Sequence, residues 1–165
     1  MSKIIIFTDG SSRNNPGPGG WGAVIAIKSD DVTVIELGGG EKHTTNNRME
    51  LMAAIGGVSN APESDDITVL SDSAYVINGI TNWIHGWKRN NWRTSAKKAV
   101  LNKDLWMKLD ECVAGKNIKW KHVAGHAGIP GNERCDEIAT SFADGEGIKL
   151  YKGPIGRYDL KNILG

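Results

Sequence analysis

The chain has 165 residues, the size of a single domain, with 39% hydrophobic and 24% charged residues. Its formal net charge of only +1 does not by itself indicate a strongly charged partner. No apolar stretch is long enough to span a membrane, and the amino terminus lacks the regions of a secretory signal peptide. We therefore expect a globular, cytoplasmic protein without a membrane partner, monomeric by default.

Three strands are predicted at the start of the chain. The apolar runs cover residues 4–7, 23–27 and 32–37, and the short turns between them make these strands antiparallel neighbours. A helix is predicted next in TTNNRMELMAAIGGV, because Thr and Asn favour helix starts and the apolar residues recur at helical spacing.

Helices and strands alternate through the second half of the chain. The segments DITVLSDS and NIKWKHVAGH are predicted strands, and AYVINGITNWI, NKDLWMKLDECVAG and NERCDEIATSFA are predicted helices. This order predicts an α/β fold with a mixed sheet covered by helices. We assign residues 1–143 to one domain and expect residues 144–165, which are Gly-rich and weakly patterned, to form a tail rather than a second domain.

Two acidic residues follow the same sequence pattern. In IIIFTDGS and ITVLSDS an apolar run leads to a hydroxyl residue, an acid and a small residue, so Asp9 and Asp72 occupy comparable positions. Ligand sites tend to form at the carboxyl ends of parallel strands, and we expect Glu50 and Asp136 in the first turns of helices entering from that edge. Each acid by itself also fits a turn or a helix start.

Four carboxylates in one place would require compensation. A pair about 4 Å apart repels by roughly 4 kcal/mol at an effective dielectric near 20, and divalent cations relieve that repulsion. All-oxygen ligands favour Mg²⁺ or Mn²⁺. Two such ions about 3.5–4 Å apart can activate a water and stabilise a leaving oxygen at phosphorus. The cluster thus points to hydrolytic phosphoryl chemistry without a protein nucleophile.

One histidine is a candidate for moving protons in this reaction. His126 lies in VAGHAGIPGNE, between two glycines and ten residues before Asp136. An imidazole with an ordinary pKa near 6.5 can accept a proton from water or assist product release. The alternative is a histidine on a surface loop without a catalytic role.

A basic and aromatic segment occupies about residues 83–103. Its cations precede the first acid, Asp104, and its tryptophans are interleaved with them. Clustered positive charge attracts phosphates, and Trp faces can pack on sugars or bases. The candidate contacts are Trp83, Trp87, Lys88, Arg89, Trp92, Lys97 and Lys98. The alternative is a solvated charged face with its tryptophans in the core.

Long motifs in a fixed order resemble type 1 ribonuclease H in its bacterial form with a basic protrusion. They are TDGSSRNNPGPGGWGA, TTNNRMELMAAI, SDSAYV, the basic segment and GHAGIPGNERCDEIA, and they cover the chain to about Ala139. The resemblance implies a five-stranded mixed sheet flanked by helices. It also implies metal-dependent cleavage of the RNA strand of RNA/DNA hybrids, leaving 3′-hydroxyl and 5′-phosphate ends.

The resemblance further implies roles for individual residues. The metal-binding acids are Asp9, Glu50, Asp72 and Asp136, the loop histidine is His126, the hybrid contacts are Asn15, Asn46 and Asn47, the DNA-phosphate pocket includes Thr45 and Asn102, and the DNA-facing channel includes Trp83 and Trp87. This chain departs from the family at His43, Ala74 and Ile129, where Arg, Gln and His often stand. These departures concern substrate contacts and leave the metal site intact.

Two other functions are compatible with these motifs. One is a non-catalytic module that binds RNA/DNA hybrids, and the other is a related metal-dependent nuclease that acts on DNA. The four acids together with His126 favour an enzyme over a binding module. The polar start of TTNNRMEL and the protrusion favour a hybrid substrate over DNA.

Overall fold

A mixed β-sheet forms the centre of the computed structural model, which describes residues 2–125, 127–160 and 162–164. Its strands are β1 Lys3–Ser12, β2 Gly17–Lys28, β3 Val32–Thr44, β4 Asp66–Ser71, β5 Ile118–His122 and β6 Lys152–Pro154. In space they are ordered β5-β4-β1-β2-β3-β6. Strands β1, β4 and β5 run parallel, whereas β2, β3 and β6 continue the sheet by antiparallel pairing.

Five α-helices are found in the described part of the chain. They are α1 Asn46–Asn60, α2 Ala74–Asn78, α3 Ile84–Arg89, α4 Lys103–Val113 and α5 Pro130–Ala143. A π-helical turn over Gly79–Trp83 joins α2 to α3, so the predicted helix AYVINGITNWI is continuous but not regular. Within the described residues, no helix is both long and apolar enough to cross a membrane.

The two faces of the sheet bury different helices. Alternate residues of a strand point to opposite faces, so Ile4 and Ile6 of β1 pack with Val58 of α1, whereas Phe7 packs with Ile138 of α5. A third apolar cluster joins α1 to α2, α3 and α4 around the fully buried Trp106. The prediction of an α/β fold with a mixed sheet between helices is confirmed.

The prediction of five strands is wrong by one, because the tail contributes β6. This strand pairs antiparallel with Thr33–Ile35 of β3, and beyond it Tyr158 and Ile163 are buried on the α5 side of the sheet. The strand has three residues, two of them Gly and Pro, and so lacks the alternation that predicts a strand. Burial of the apolar residues that follow it holds this part of the chain in place.

Strands β2 and β3 extend beyond the apolar runs into glycine-rich segments. A Cβ built on Gly20 would lie 2.1 Å from the carbonyl oxygen of Ala139, so the absence of a side chain lets α5 pack directly on β2.

Helix α5 starts earlier than predicted, at Pro130. Asp136 and Glu50 are therefore the seventh and fifth residues of their helices, in the second turn and not in the first as predicted.

Candidate active site

Three acidic residues converge where β1 and β4 separate. Asp9 lies in β1, Asp72 directly follows β4, and Glu50 reaches them from α1. One oxygen from each carboxylate lies within 4.8 Å of the other two. Glu50 is buried, and the other two residues are half-buried. Residues separated by up to 63 positions in the sequence thus form one anionic cluster.

Close packing of α1 against β1 brings Glu50 to Asp9. A Cβ on Gly10 would lie 2.3 Å from the carbonyl carbon of Met49 and 2.4 Å from the amide nitrogen of Glu50. The absence of a side chain at Gly10 therefore allows the two backbones to touch. The Gly10 amide then donates hydrogen bonds to both carboxylates, to Oδ1 of Asp9 at 2.9 Å and to Oε1 of Glu50.

The cluster favours protonation when no cation is bound. Burial raises the pKa of Asp9 to about 6, and the charges of Asp72 and Asp136 add to this, while hydrogen bonding with Glu50 and the Gly10 amide opposes it. Burial, followed by the interaction with Asp9, also raises the pKa of Glu50 well above its ordinary value. The fold therefore places Asp9 and Glu50 where ionisation of their carboxyl groups costs free energy.

Asp136 lies in the same cavity but farther from the centre of the cluster. The cavity has a volume of about 310 Å³, and its lining includes Asp9, Asp72 and Asp136. Asp136 is not part of the group whose oxygens approach within 4.8 Å in the described chain. Its charge nevertheless contributes to the raised pKa of Asp9. The structure thus brings three of the predicted acids into contact distance and the fourth to the cavity wall.

The loop before α5 forms another wall of this cavity. Gly125 and Ala127 both line it, and Ile129 lies where the loop enters the helix. His126 lies outside the described residues, so its role stays a prediction. Among the departures from the family pattern, Ile129 therefore faces the acidic cavity, whereas His43 is exposed on β3 and Ala74 is exposed at the start of α2.

The alternative in which the acids only cap helices does not fit Asp72. Ser73 caps α2 instead, because its hydroxyl accepts a hydrogen bond of 3.2 Å from the amide of Val76. Thr45 similarly caps α1 by accepting from the amide of Arg48 at 3.2 Å. The carboxylates of Asp72 and Glu50 are thus not needed to start these helices.

The donor set fits a hard divalent cation. Oε2 of Glu50 is buried and has no hydrogen-bond partner among the described residues. Three carboxylates whose oxygens lie within 4.8 Å of one another, one of them with an unpartnered oxygen, form an all-oxygen site of the kind that Mg²⁺ and Mn²⁺ occupy. A divalent cation would replace the protons that the cluster otherwise holds.

Polar side chains connect the turn after β1 to the start of α1. Oδ1 of Asn46 accepts hydrogen bonds from the amide and hydroxyl of Ser12 at 2.7 and 3.0 Å, and Oδ1 of Asn15 accepts from the Asn46 amide at 3.0 Å. Asn15, Asn46 and Asn47 are all exposed. These predicted hybrid contacts therefore lie on one accessible surface next to the end of β1 that carries Asp9.

A second polar group brings together Thr45 and Asn102 through Arg48. The Arg48 guanidinium donates to Oδ1 of Asn102 at 3.3 Å and forms a two-pronged ion pair with Asp104 at 2.7 and 3.0 Å. Asn102 has a left-handed backbone with φ 59° and donates through Nδ2 to the Tyr75 hydroxyl at 3.0 Å. The two predicted phosphate-pocket residues are thus held beside a cation.

The basic segment combines a buried aromatic side with an exposed charged side. Trp87 and Trp92 are half-buried and pack against the apolar cluster that contains Trp106, whereas 43% of Trp83 is exposed. The remaining candidates are exposed cations: Lys88, which pairs with Asp110 at 3.2 Å, and Arg89, Lys97 and Lys98. Both interpretations of the segment are therefore partly realised, because Trp87 and Trp92 serve the core while Trp83 and the cations face solvent.

Sequence reasoning missed three residues of this site. Arg48 is in the quoted motif TTNNRMEL, where a lone cation beside polar residues was an available signal. Gly10 stands in the pattern around Asp9 only as the small residue after the acid, and nothing local indicates its contact with α1. Asn132 donates through Nδ2 to the carbonyl of Leu70 at 3.3 Å and lines the acidic cavity, but an asparagine at the start of a helix carries no distinct signal.

Comparison with known proteins shows which class of protein this fold and site define. The family model for RNase H matches residues 1–144. The ribonuclease H of Roseobacter denitrificans is 54% identical over 143 residues, which cover 86% of this chain and 95% of that protein. The chain belongs to the ribonuclease H family and is a nuclease of the hydrolase class.

Solved structures show the same fold. LC9-RNase H1, described as a type 1 RNase H with the type 2 active-site motif, superposes with a TM-score of 0.80 at 27% identity, covering 92% of this chain and 78% of that one. LC11-RNase H1, solved in complex with RNA/DNA hybrid, has a TM-score of 0.63 at 23% identity, covering 87% and 98%. The resemblance to type 1 ribonuclease H is confirmed, and so is the prediction of an enzyme over a non-catalytic module.

Proposed function

We propose that this chain hydrolyses the RNA strand of RNA/DNA hybrids with two Mg²⁺ ions, leaving 3′-hydroxyl and 5′-phosphate ends. The observation that carries the proposal is the convergence of Asp9, Glu50 and Asp72 to within 4.8 Å. The catalytic domain comprises residues 1–143, including the protrusion at about residues 83–103. A single copy of the chain supplies all four acids.

Each acid has a distinct position from which to hold the ions. Asp9 and Asp72 would be the central ligands, Glu50 would add its unpartnered Oε2, and Asp136 would add a carboxylate from α5. When bound, the pair of ions supplies an activated water and neutralises charge on the leaving oxygen. Mn²⁺ can substitute, because it takes the same oxygen ligands.

Side chains of the protein move the proton and orient the substrate. His126, between two residues that line the acidic cavity, accepts or delivers the proton during hydrolysis. The water attacks phosphorus on one side while the 3′-oxygen of the preceding nucleotide departs from the other, which produces a 5′-phosphate. No side chain becomes covalently attached to the RNA.

The exposed polar and basic surfaces supply the hybrid contacts. Asn15, Asn46 and Asn47 read the 2′-hydroxyl side of the minor groove, since that group separates RNA from DNA. Thr45, Asn102 and Arg48 bind a phosphate of the DNA strand, which continues toward Trp83 and the basic segment. A protein of the same fold, LC11-RNase H1, has been solved with such a hybrid.

The test is cleavage of three labelled duplexes by the purified protein. RNA/DNA hybrid, duplex DNA and duplex RNA are each incubated with Mg²⁺ and with a chelator, and the product ends are identified by enzymatic phosphorylation and ligation. We expect cleavage of the hybrid alone, in Mg²⁺ alone, with Asp72→Asn as the inactive control. Cleavage of duplex DNA at a comparable rate would instead support the related DNA nuclease.

A further inference from the structure

A buried carboxylate outside the acidic cluster ties three parts of the chain together. The side chain of Glu36, on β3, is 0% exposed. Its Oε2 accepts from Nε of Arg134 and from the hydroxyl of Tyr158, both at 2.6 Å. Its Oε1 accepts from Nη2 of Arg134 at 3.0 Å and from the amide of Tyr151 at 2.9 Å. Glu36 therefore joins the sheet, α5 and the tail at one point.

Arg134 connects this network to the catalytic helix. It lies in α5 two residues before Asp136, and its Nη2 also donates to the carbonyl of Lys149 at 3.2 Å. Asp136 and Glu137, in the same part of α5, line the acidic cavity. The guanidinium thus ties β3 and the tail to the part of α5 that carries Asp136.

The energetics of this network favour one fixed geometry. Burial by itself would raise the pKa of Glu36, but the bonds from Arg134, Tyr158 and Tyr151 hold it below the ordinary value of 4.5. Removing one partner of a buried ion pair leaves an uncompensated charge. The resulting loss of stability is far larger than the loss from breaking an exposed pair. Small displacements of α5 relative to the tail are therefore resisted.

The tail that completes the network extends beyond the matched family domain. The family model ends at residue 144, whereas Tyr151 and Tyr158 lie in the segment that forms β6 and the buried turn after it. Asp136 is also the acid that lies farthest from the centre of the cluster, outside the group of three. Its contribution to a metal site depends on where α5 is held.

We propose that the cluster of Glu36, Arg134 and Tyr158 is a positioning device through which the tail holds α5 and thereby sets Asp136 against Asp9 and Asp72. This inference rests on the proposed role of Asp136 as a metal ligand. Arg134 and Tyr158 are positioning residues, because they act through Asp136 and do not touch the acidic cluster themselves. The tail consequently supports catalysis from outside the catalytic domain of residues 1–143.

The test measures Mg²⁺ binding to the substrate-free protein by calorimetry and the Mg²⁺ dependence of hybrid cleavage. Tyr158→Phe removes one donor to Glu36, and we expect up to about tenfold weaker Mg²⁺ affinity, because the effect reaches Asp136 through Glu36 and Arg134 and should not exceed the smallest losses caused by removing a direct outer partner of a metal ligand. The rate at saturating Mg²⁺ stays within about twofold, since the ligands themselves are unchanged. Arg134→Lys, which keeps the charge but not the two-pronged bond, should act in the same direction.

A matched control is available in the same tail. Tyr151→Phe also removes a tyrosine hydroxyl, but this hydroxyl bonds to the carbonyl of Pro154 and not to Glu36. We expect its Mg²⁺ affinity to equal that of the wild type. In an Asp136→Asn background, Tyr158→Phe should cause no further loss of Mg²⁺ affinity, because both changes act through the same ligand.

The outcomes separate this inference from the proposed function. A Tyr158→Phe protein that melts at a lower temperature but binds Mg²⁺ like the wild type would overturn the positioning role. A loss of affinity that persists unchanged in the Asp136→Asn background would overturn it as well. If Tyr158→Phe does not fold, the same comparisons made with Arg134→Lys decide the question. A wild-type protein that neither binds Mg²⁺ nor cleaves hybrid would instead refute the proposed function.

Discussion

The amide of Gly10 donates a hydrogen bond to the carboxylate of Glu50, so strand β1 and helix α1 touch at the residue that follows Asp9. The contact requires the absence of a side chain, because a Cβ on Gly10 would lie 2.3–2.6 Å from backbone atoms of Met49 and Glu50. Backbone atoms cannot rotate away as a side chain can. The separation of two carboxylates of the acidic cluster is thus set by one glycine.

Gly10→Ala adds a single methyl group, but it should consequently have a large effect on both stability and cleavage. We expect destabilisation by about 1–3 kcal/mol from overpacking, together with at least a hundredfold loss of hybrid cleavage as Glu50 moves away from Asp9. Denaturant unfolding and cleavage assays measure the two effects. Gly147→Ala is the matched control, because a Cβ there meets nothing within 4 Å. Full activity of Gly10→Ala would show that the close approach is not required.

Asp9→Asn should abolish cleavage without destabilising the metal-free protein. The amide side chain keeps a carbonyl oxygen for the Gly10 amide but removes a charge that burial and neighbouring acids disfavour. We expect the free energy of unfolding at pH 7 to be unchanged or higher by up to about 2 kcal/mol. Asp30→Asn, on an exposed turn, is the neutral comparison. A strong loss of stability without metal would contradict the proposed repulsion.

The contribution of the acidic cluster to the stability of the metal-free protein should fall as pH rises from about 4 to 6. In this interval Asp9 binds more protons in the folded protein than in the unfolded chain, since its pKa is raised from 3.8 to about 6. That of Glu50 is raised as well. Saturating Mg²⁺ should reverse the trend, because the ion competes with protons for the same oxygens. Thermal melts across this pH range check both slopes, and Asp9→Asn should flatten the first.

Glu36→Gln should destabilise the fold at neutral pH, by about 3 kcal/mol, because the buried face of Arg134 loses its counter-charge. Since the pKa of Glu36 lies below its ordinary value of 4.5, this carboxylate stabilises the protein above that pH and loses its effect as pH falls further. The difference in melting temperature between wild type and variant should therefore shrink below about pH 4.5. A difference that is independent of pH would assign the effect to packing and not to charge.

The basic segment should contribute to hybrid affinity through phosphates. Replacing both Lys97 and Lys98 by Ala should weaken hybrid binding and reduce the slope of log affinity against log salt by about 1–2, while Mg²⁺ affinity stays the same. The control replaces Lys3 and Lys28, which pair at the end of β1 and β2 opposite to Asp9. It removes the same charge from a surface without a predicted role. An unchanged salt slope in the first variant would reject the assignment.

Local patterns in the sequence predicted the order of β1 to β5 and the main helices, and they indicated the acids as candidate site residues. Apolar runs, turns and helical spacing depend on neighbouring residues, so they predict β1 to β5 and the main helices from short windows. The repeated pattern around Asp9 and Asp72 likewise indicates two comparable strand ends. The resemblance in long motifs then supplied the family, which the comparisons confirm.

Only the tertiary structure decided how these parts fit together. The distance from Asp9 to Glu50 depends on a contact between two backbones, and the place of β6 depends on burial of Tyr158 and Ile163 against a sheet formed by distant residues. The bonds around Glu36 join residues 98 to 122 positions apart. Such interactions arise from packing between segments that are remote in the sequence. They depend on the whole fold, so they produce no periodic pattern of residues within a short stretch of the chain.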